Sequence, residues 1–396
     1  MVEGIVMRKS IFFTIIFIVV FFFSLAAQIS AQTWSPNKRL TWNPQYSLRP
    51  SIAVDSANRI HVVWADSKSG NYQIYYKQSS DGGATWSAFQ QLASNTGGSD
   101  NPFIAVDSAN GIHVTWEDYD YASLMNSEIF YKRSTDSGAT WSRNKRLTWN
   151  SGYSQVPSMA VDSGGGIHLV WEDYSPGNGD IYYKQSTDGG TTWSKATRFT
   201  WNASNSTVPS IAADTGGILH VAWGDTTPGA SEIFYKRSTD SGTTWSGIKR
   251  ITWSTDWSAS PSISVDSSSG VHLVWTRSPS PDMEIYYKKS TDAGASWTGT
   301  KRMTWNSSNS FNASITADSG TGIHVVWNDY SFGNAEIFYK QSTDSGANWS
   351  TLTRLTWNSS SSTNPAIAAA PGSSDIHVVW NDSGPGNEEI YYKNRK

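Results

Sequence analysis

Ile60-His61-Val62-Val63-Trp64 is the stretch that decides the fold, because six near copies of it follow along the chain. The spacings between successive copies are 52, 55, 52, 52, 52 and 53 residues, counted on the histidines His61, His113, His168, His220, His272, His324 and His377. A regular period of this length indicates one repeat architecture rather than several unrelated domains.

Each copy lies in a longer unit of four short apolar runs. The unit opens on Pro50-Ser51-Ile52-Ala53-Val54 or a relative, continues with the histidine run, and then has a tyrosine-rich run such as Ile74-Tyr75-Tyr76-Lys77. It ends on a run such as Lys145-Arg146-Leu147-Thr148-Trp149. Runs rich in β-branched and aromatic residues, separated by Gly, Ser, Asn, Asp and Pro, indicate strands and tight turns. We therefore predict an all-β fold, a seven-bladed β-propeller of four-stranded antiparallel blades.

The last unit and the segment after the N-terminal region complete each other. The last unit stops after Ile390-Tyr391-Tyr392-Lys393, without its turn and fourth run, whereas residues 33–42 reproduce a fourth run. We predict that this N-terminal strand completes the last blade and closes the ring, so that residues 32–396 form one propeller with no open sheet edge. An open solenoid, the alternative, would need polar capping repeats at both ends.

The first 31 residues have the pattern of a secretory signal peptide. Arg8 and Lys9 precede an almost uninterrupted apolar run at 11–27, and small residues follow as far as Ala31. We expect cleavage there and a secreted protein, whether extracellular, periplasmic or on the cell surface. An uncleaved membrane anchor is the alternative, because the run is at the lower edge of a span. No other segment is apolar enough to enter a membrane.

Composition excludes several classes of function. The 396 residues include no cysteine, which removes disulfides, thiol catalysis and thiolate metal sites, and the net charge of -3 gives no basic nucleic-acid face. All seven histidines occupy one repeat position, so we expect them to have the same structural role in every blade. A ring of imidazoles that binds a metal or an anion is the alternative. We expect no cofactor and no metal.

Six turns share the pattern Ser-x-Asp-x-Gly-x-x-Trp, the first at 79–86 and the last at 342–349. In such a turn the Asp carboxylate accepts backbone N–H groups, the Gly takes a positive φ, and the Trp packs the hairpin onto the sheet. The pattern resembles the Asp-box, or bacterial neuraminidase repeat. The resemblance implies a propeller of the sialidase-like superfamily, in which sialidases, other glycoside hydrolases, sorting receptors and photosystem assembly factors share the fold but no single activity.

A sialidase-like exo-glycoside hydrolase is the alternative function. The sialidase resemblance implies six blades, three arginines around a carboxylate, a Tyr–Glu nucleophile pair and an Asp acid/base. The nearest match to the family's Arg-Ile-Pro motif is Arg49-Pro50, and Val156, Val208 and Ser260 stand at the equivalent positions. Because seven-fold repetition supplies no single asymmetric site, we favour a non-enzymatic role.

Two sets of carboxylates flank the loop between the second and third strands. Aspartates follow the Trp of the second strand by two residues, except that blade five has Arg277, and an acidic residue such as Glu128 or Asp180 opens the third strand. Glycosidases use paired carboxylates as their catalytic groups. Their presence in nearly every blade favours turn capping instead.

A binding surface fits the repetition better than an enzyme does. The loops after the fourth strand and those between strands two and three share one face, where aromatic planes next to Asn, Asp and Ser suit the stacking and hydrogen bonding of sugars. Blade-to-blade packing of the tryptophans is the alternative. The irregular loops at 91–100 and 118–126 are where we expect a special pocket if the ring has one, and the favoured alternative is sequence drift in tolerant loops. The candidate ligand-binding residues are Trp149, Asn150, Tyr153, Asp173, Tyr174, Trp201, Asn202, Trp253, Trp257, Trp305, Asn306, Asp329, Tyr330 and Trp357, with Asp118 and Tyr119 in blade two.

These residues predict a recognition module whose partner is a carbohydrate or a cell-surface or matrix polymer, bound weakly at repeated sites that gain strength together. A protein-binding scaffold of an envelope complex is a third possibility. We expect neither a nucleic-acid partner nor a membrane contact apart from the signal peptide.

Overall fold

The structure is a computed structural model that describes residue 1 and residues 33–120, 126–279 and 281–396, without the side chain of Asp120. The predicted signal peptide and the middle of the blade-two loop lie outside the described residues. Within the described part of the chain, 28 strands form seven four-stranded antiparallel sheets. The same residues contain no helix that could cross a membrane.

Six blades take their four strands from consecutive residues. Blades one to three are formed by β2 (Ser47–Val54), β3 (Ile60–Asp66), β4 (Gln73–Ser79), β5 (Gln90–Gln91), β6 (Gly98–Val106), β7 (Ile112–Asp120), β8 (Asn126–Ser134), β9 (Lys145–Arg146), β10 (Ser154–Val161), β11 (Ile167–Asp173), β12 (Asp180–Ser186) and β13 (Thr197–Arg198). Blades four to six are formed by β14 (Ser206–Ala213), β15 (Leu219–Asp225), β16 (Glu232–Ser238), β17 (Lys249–Arg250), β18 (Trp257–Val265), β19 (Val271–Ser278), β20 (Glu284–Ser290), β21 (Lys301–Arg302), β22 (Ser310–Ala317), β23 (Ile323–Asp329), β24 (Glu336–Ser342) and β25 (Thr353–Arg354).

Blade seven joins the two ends of the ring, as predicted. It consists of β26 (Ser362–Ala369), β27 (Ile376–Asp382), β28 (Glu389–Arg395) and the N-terminal β1 (Lys38–Arg39). Lys38 lies opposite Tyr392 in the antiparallel β1–β28 pair, and Leu40 is buried between blades seven and one. The first strands of successive blades are neighbours around the ring, and β26 lies next to β2. The predicted seven-bladed propeller is therefore confirmed.

The N-terminal segment also supplies a seventh tryptophan to a ring of aromatic contacts. Each Asp-box Trp packs edge-on against a third-strand Tyr of the preceding blade, with ring centroids 4.9 to 5.2 Å apart. Blade seven has no Asp-box, but Trp34 makes the same contact with Tyr339 at 5.0 Å. The Asp-box tryptophans thus hold neighbouring blades together, which goes beyond the predicted packing on their own sheet.

The hydrophobic core lies between adjacent blades. The second strand of each blade has neighbours on both faces, so its apolar residues are continuous rather than alternating. Its tryptophan is fully buried in all seven blades, at Trp64, Trp116, Trp171, Trp223, Trp275, Trp327 and Trp380. Burying seven indoles between blades supplies packing energy that this cysteine-free chain cannot obtain from disulfides.

A β-bulge in every first strand surrounds the mouth of the central channel. The pairing with the second strand shifts at each bulge, and the bulged residue has a φ between 47 and 54° at Arg49, Asn101, Val156, Val208, Ser260, Asn312 and Asn364. A positive φ is strained for a β-branched residue such as Val156. These bulges line a cavity at the mouth of the channel, with a volume of about 360 Å³.

Candidate functional site

The predicted ligand-binding loops lie together on one side of the ring, which we name the upper face. In blade three, Ser154 at the start of β10 is opposite Asp173 at the end of β11. The loops beyond them are joined by a hydrogen bond of 2.8 Å from the Tyr174 N–H to the Tyr153 carbonyl. The loop after the fourth strand and the loop between strands two and three are therefore neighbours.

An aspartate at the end of the second strand holds these loops in a hydrogen-bonded clamp. Asp173 accepts hydrogen bonds from Asn150 Nδ2, from Ser154 Oγ at 3.0 Å and from Trp171 Nε1 at 2.9 Å. Similar clamps are built on Asp66, Asp118, Asp225, Asp329 and Asp382. The candidate residues Asn150, Asn202, Asn306, Asp118, Asp173 and Asp329 thus place polar atoms in contacts within the protein.

The acidic residues that open the third strand also cap the upper-face loops. Asp180 accepts hydrogen bonds from Thr200 Oγ1 at 2.6 Å and from Arg198 Nη2 at 2.7 Å. A threonine hydroxyl and an arginine donate the same two hydrogen bonds to Glu128, Glu232, Glu284 and Glu336. Both sets of carboxylates are therefore placed as structural caps, which is the interpretation that the sequence favoured.

Six tryptophans of the upper face are exposed instead of packed between blades. Each follows the two-residue fourth strand at the outer edge of a blade, where no further strand covers the indole. The side chains are 65 to 75% exposed, and together they form what we name the tryptophan rim: Trp42, Trp149, Trp201, Trp253, Trp305 and Trp357. Single exposed apolar residues are ordinary, but here the exposure of a large one recurs at the same repeat position in six blades. Blade one has Ser94 at this position.

Trp42 is the member of the rim that the sequence analysis missed as a ligand candidate. The signal was available, because Arg39-Leu40-Thr41-Trp42 matches Arg146-Leu147-Thr148-Trp149. The sequence predicts for this segment only the strand that closes the ring.

A cationic side chain lies within 6 Å of the ring centroid of each rim tryptophan. The Arg146 guanidinium lies 5.9 Å from the Trp149 ring centroid, and Lys184 Nζ of the next blade lies 5.6 Å from it. Lys184 also donates a hydrogen bond of 2.5 Å to the Leu147 carbonyl, which fixes the position of its ammonium group. Such cation–π contacts orient an indole on one face while the other meets solvent.

A cleft opens between Trp149 and blade three. Its volume is about 300 Å³, at the lower end of the range for ligand pockets. Two aromatic walls, Trp149 and Tyr182, enclose polar atoms of Asn150, Asp173 and Lys184. The repeat places similar residues next to the other rim tryptophans, with Phe234 and Phe338 in place of the tyrosine next to Trp201 and Trp305, and with Ser254 and Arg277 in place of the clamp pair next to Trp253.

The remaining candidate residues lie in the upper-face loops but not in that cleft. Tyr153 and Trp257 are about two-fifths exposed, at 41 and 42%. Tyr330 stacks on Phe311 with ring centroids 5.6 Å apart. Tyr174 is half-buried, and burial followed by the charge of Glu172 raises its pKa above the ordinary value.

A second cleft lies where the two irregular loops meet, as the sequence led us to expect. Its volume is about 290 Å³, and the described residues that line it include Asn95, Gly97, Asp118, Tyr119 and Arg146. Residues 121–125 of the blade-two loop are outside the described part of the chain. Ser94 in place of a rim tryptophan removes an indole from this junction.

The same junction contains an asymmetric group of charged residues near the channel mouth. Tyr119 Oη donates a hydrogen bond of 2.7 Å to Glu117 Oε1, and Arg49 forms an ion pair with Asp100. Glu117 is buried, and burial raises its pKa. Its second oxygen accepts the N–H of Val156 at 3.0 Å, so the carboxylate also supports a bulge of blade three.

The seven histidines are buried and form the same contact in each blade. Nδ1 lies 2.6 to 2.8 Å from the hydroxyl of a third-strand tyrosine. In five blades Nε2 meets an aspartate of the preceding turn, as His168 meets Asp162 at 3.0 Å. Among the described residues, no group of three or more His, Asp or Glu is placed to hold a metal. These contacts support the structural role.

Two histidines should make the fold sensitive to acid. Burial lowers the pKa of His220 and of His377 to about 4, and Nε2 has no hydrogen-bond partner in either within the described residues. Because an unfolded histidine titrates near pH 6.5, the stability from the neutral form is complete above that pH and is lost as the pH falls toward 4. At pH 5 each of these two histidines should lower the free energy of unfolding by about 2 kcal/mol.

His377→Gln should therefore flatten the dependence of the unfolding free energy on pH by up to about 1.4 kcal/mol per pH unit. His168→Gln is the matched control, because Asp162 partly offsets the effect of burial on its pKa and the flattening should be smaller. Urea unfolding of the three proteins between pH 7 and pH 5 measures the slopes. Equal slopes for all three would contradict the assignment.

Comparison with known proteins agrees with this architecture. The model of a BNR repeat-containing family member matches residues 18–150. This part of the chain is thus similar to a BNR repeat-containing family, and residues 33–396 have the fold of a seven-bladed β-propeller. No curated protein matches the sequence of this propeller.

Solved structures similar to the propeller include three enzymes that act on carbohydrates. A polysaccharide lyase of family PL25, an ulvan lyase, has a TM-score of 0.61 at 11% identity, covering 90% of this chain and 95% of the lyase. The α-L-arabinanase of Penicillium chrysogenum has a TM-score of 0.55 at 14% identity, covering 91% and 98%. The K499G mutant of NanB sialidase from Streptococcus pneumoniae has a TM-score of 0.52 at 13% identity, covering 90% and 70%. At these identities the likeness concerns the fold.

Proposed function

We propose that this propeller is a secreted recognition module that binds glycans along the tryptophan rim. The observation that carries the proposal is the exposure of six equivalent indoles, 65 to 75% each, on one face of the ring. Folding gains nothing from leaving these large apolar side chains in water, and their repetition is specific to one position of the unit. The signal-peptide pattern at residues 1–31 supports secretion.

The chemistry of the clefts suits a sugar. The flat indole offers a stacking surface to the C–H face of a pyranose ring, and the ring is already oriented by Arg146 and Lys184 in the cleft of Trp149. Pre-orientation reduces the entropy that a side chain loses on binding. The similar folds of an ulvan lyase, an arabinanase and a sialidase agree with a carbohydrate ligand.

The arrangement in a ring suits a polymer. Each cleft is small and open, so a single contact is weak, but several clefts that engage one chain raise the effective concentration of the next sugar. We therefore expect long oligosaccharides or polysaccharides to bind far more tightly than monosaccharides.

Removing two neighbouring rim tryptophans should weaken binding. We expect Trp149→Ala with Trp201→Ala to lower affinity for the best glycan on an array by about tenfold or more, because exposed aromatic anchors dominate such contacts. The melting temperature should change little, because these indoles are exposed. Ile248→Ser is the matched control, since Ile248 is an exposed apolar residue, 47%, five positions before Trp253. Loss of binding in the control, or none in the double variant, would refute the rim as the site.

Glycoside hydrolysis is a second candidate, favoured by the Tyr119–Glu117 pair next to Arg49. The resemblance to sialidases implies such a Tyr–Glu pair, but also three arginines around the substrate carboxylate. Here Arg49 is occupied by Asp100, and the equivalent positions of the other blades hold Asn, Val or Ser. Glu117 is in addition engaged by the backbone of Val156.

We therefore expect no turnover of a fluorogenic sialoside above the buffer rate. A single active site needs its acid, base and arginines in one fixed geometry. Turnover that is abolished by Glu117→Gln and by Arg49→Ala would instead establish the hydrolase, because these two changes remove the pair and the arginine without touching the tryptophan rim.

A further inference from the structure

Blade five breaks the clamp that the other six blades share. It has Arg277 at the position of the clamp aspartate and Ser254 at the position of the clamp asparagine. Arg277 instead binds Oδ2 of Asp256, from Nη2 at 2.7 Å and from Nε at 3.1 Å. Asp256 lies in the loop before β18, where the other blades have no acidic residue.

The break leaves two buried donors without their acceptor. In the other six blades, one aspartate oxygen accepts a hydrogen bond of 2.9 to 3.4 Å from the Trp Nε1 and one of 2.7 to 3.2 Å from the Ser Oγ. In blade five, Trp275 Nε1 and Ser258 Oγ are fully buried and have no partner within the described residues. Buried donors without acceptors reduce stability, and such exceptions concentrate at functional sites.

The change makes one cleft of the rim more positive than the others. Arg250 and Lys288 lie 5.8 and 5.9 Å from the Trp253 ring centroid, and the Arg277 guanidinium lies 5.3 Å from the Tyr286 ring. The matching clefts contain an aspartate of charge −1, whereas Arg277 and Asp256 together sum to zero. The cleft of Trp253 is therefore one charge unit more positive.

We propose that the rim position of Trp253 binds an acidic sugar, whose anionic group pairs with Arg277 in the place where the other six blades have the clamp aspartate. The inference rests on the proposed glycan recognition and names its ligand class. Arg277 receives the anion with charge-assisted hydrogen bonds. Its side chain is 27% exposed and that of Asp256 is 25% exposed, so a ligand anion can reach the guanidinium from solvent and compete with Asp256 for it.

A carboxylate of a uronic acid and a sulfate ester share this chemistry, and a direct binding experiment separates them. The probes are a galacturonic acid tetramer, a sulfated galactose tetramer and a neutral galactose tetramer, titrated into the protein by calorimetry. We expect at least one acidic probe to bind about tenfold or more tightly than the neutral one, with an affinity that falls as salt rises. The acidic probe that binds more tightly than the neutral one identifies the anionic group.

Two substitutions test whether Arg277 causes the tighter binding of the acidic probe. Arg277→Asp installs the residue of the other blades, and Arg277→Gln removes the charge while keeping a long polar side chain. Both should abolish the preference for the acidic probe while binding of the neutral probe stays within about twofold. Lys195→Asp, at an exposed lysine that follows an Asp-box, makes the same change in charge and should have no effect. Arg277→Asp should also raise the melting temperature, because Trp275 and Ser258 regain an acceptor.

The outcomes distinguish this inference from the function on which it rests. Equal binding of acidic and neutral probes, unchanged in both Arg277 variants, would overturn the acidic site and leave the rim as a glycan surface. No binding of any saccharide, here or on the array, would overturn the proposed function and the acidic site with it.

Discussion

A chain that begins at Gln45 should lose at least about 5 kcal/mol of stability, or fail to fold, relative to a chain that begins at Thr33. The deletion removes β1, the buried Leu40 and the Trp34–Tyr339 contact, and it exposes the edge of β28. Loss of a buried leucine alone costs about 2–5 kcal/mol. Urea unfolding of both proteins gives the difference.

Adding the missing strand back provides the control for this prediction. A synthetic peptide of residues 33–44 should restore stability to the truncated ring by pairing with β28, as a donated strand does. The same peptide with Leu40→Asp should not, because a charge would enter the core between blades seven and one. A truncated protein that melts like the longer one would show that the ring is closed in some other way.

Gly190→Ala should destabilise the propeller by about 1–3 kcal/mol more than Gly177→Ala. Both glycines have a positive φ, +84° and +102°, so both substitutions incur backbone strain. A Cβ at Gly190 would lie 2.5 Å from Tyr131 Cζ of the preceding blade, whereas nothing lies within 4 Å of one at Gly177. The difference therefore isolates the contact between blades.

Urea unfolding of the two variants measures that difference, and equal losses would show that the Asp-box glycine serves only its own turn. The structure indicates otherwise, because the glycines at this position of all six Asp-boxes lie against a tyrosine hydroxyl of the neighbouring blade. The turn motif is thus also a contact between blades, and this explains its presence in a fold whose blades touch mainly through side chains.

The period of the sequence was sufficient to predict the propeller, because strand order and ring size follow from the repeat itself. Its closure was predicted from the fourth run at residues 33–42, which the last unit lacks. The aromatic role of Trp34 was missed, although Thr33-Trp34-Ser35 matches Thr140-Trp141-Ser142, because the contact is with another blade. A repeat pattern describes one unit and is silent about which atoms of neighbouring units meet.

The candidate site was predictable as a surface but not atom by atom. Trp149 and Trp171 are both tryptophans of strand ends in aromatic-rich runs, yet one is exposed and the other is buried. Their difference comes from the number of strands beside them, since Trp171 lies on a central strand and Trp149 follows an edge strand. Likewise, Asn150 and Asp173 hydrogen-bond to each other across 23 residues, so their use as a clamp could not be read from either loop.

The pairing of β1 with β28 in blade seven, which we name the seam, has a mechanical consequence. In six blades a covalent turn links the third and fourth strands, whereas in blade seven the fourth strand is held by hydrogen bonds and side chains. Trp34, before β1, is bridged to Arg395, at the end of β28. The chain therefore enters β1 and leaves β28 at the same end of the strand pair. Tension applied between them would unzip the pair one bond at a time instead of shearing all bonds together. We therefore expect the ring to open under load first at this one place.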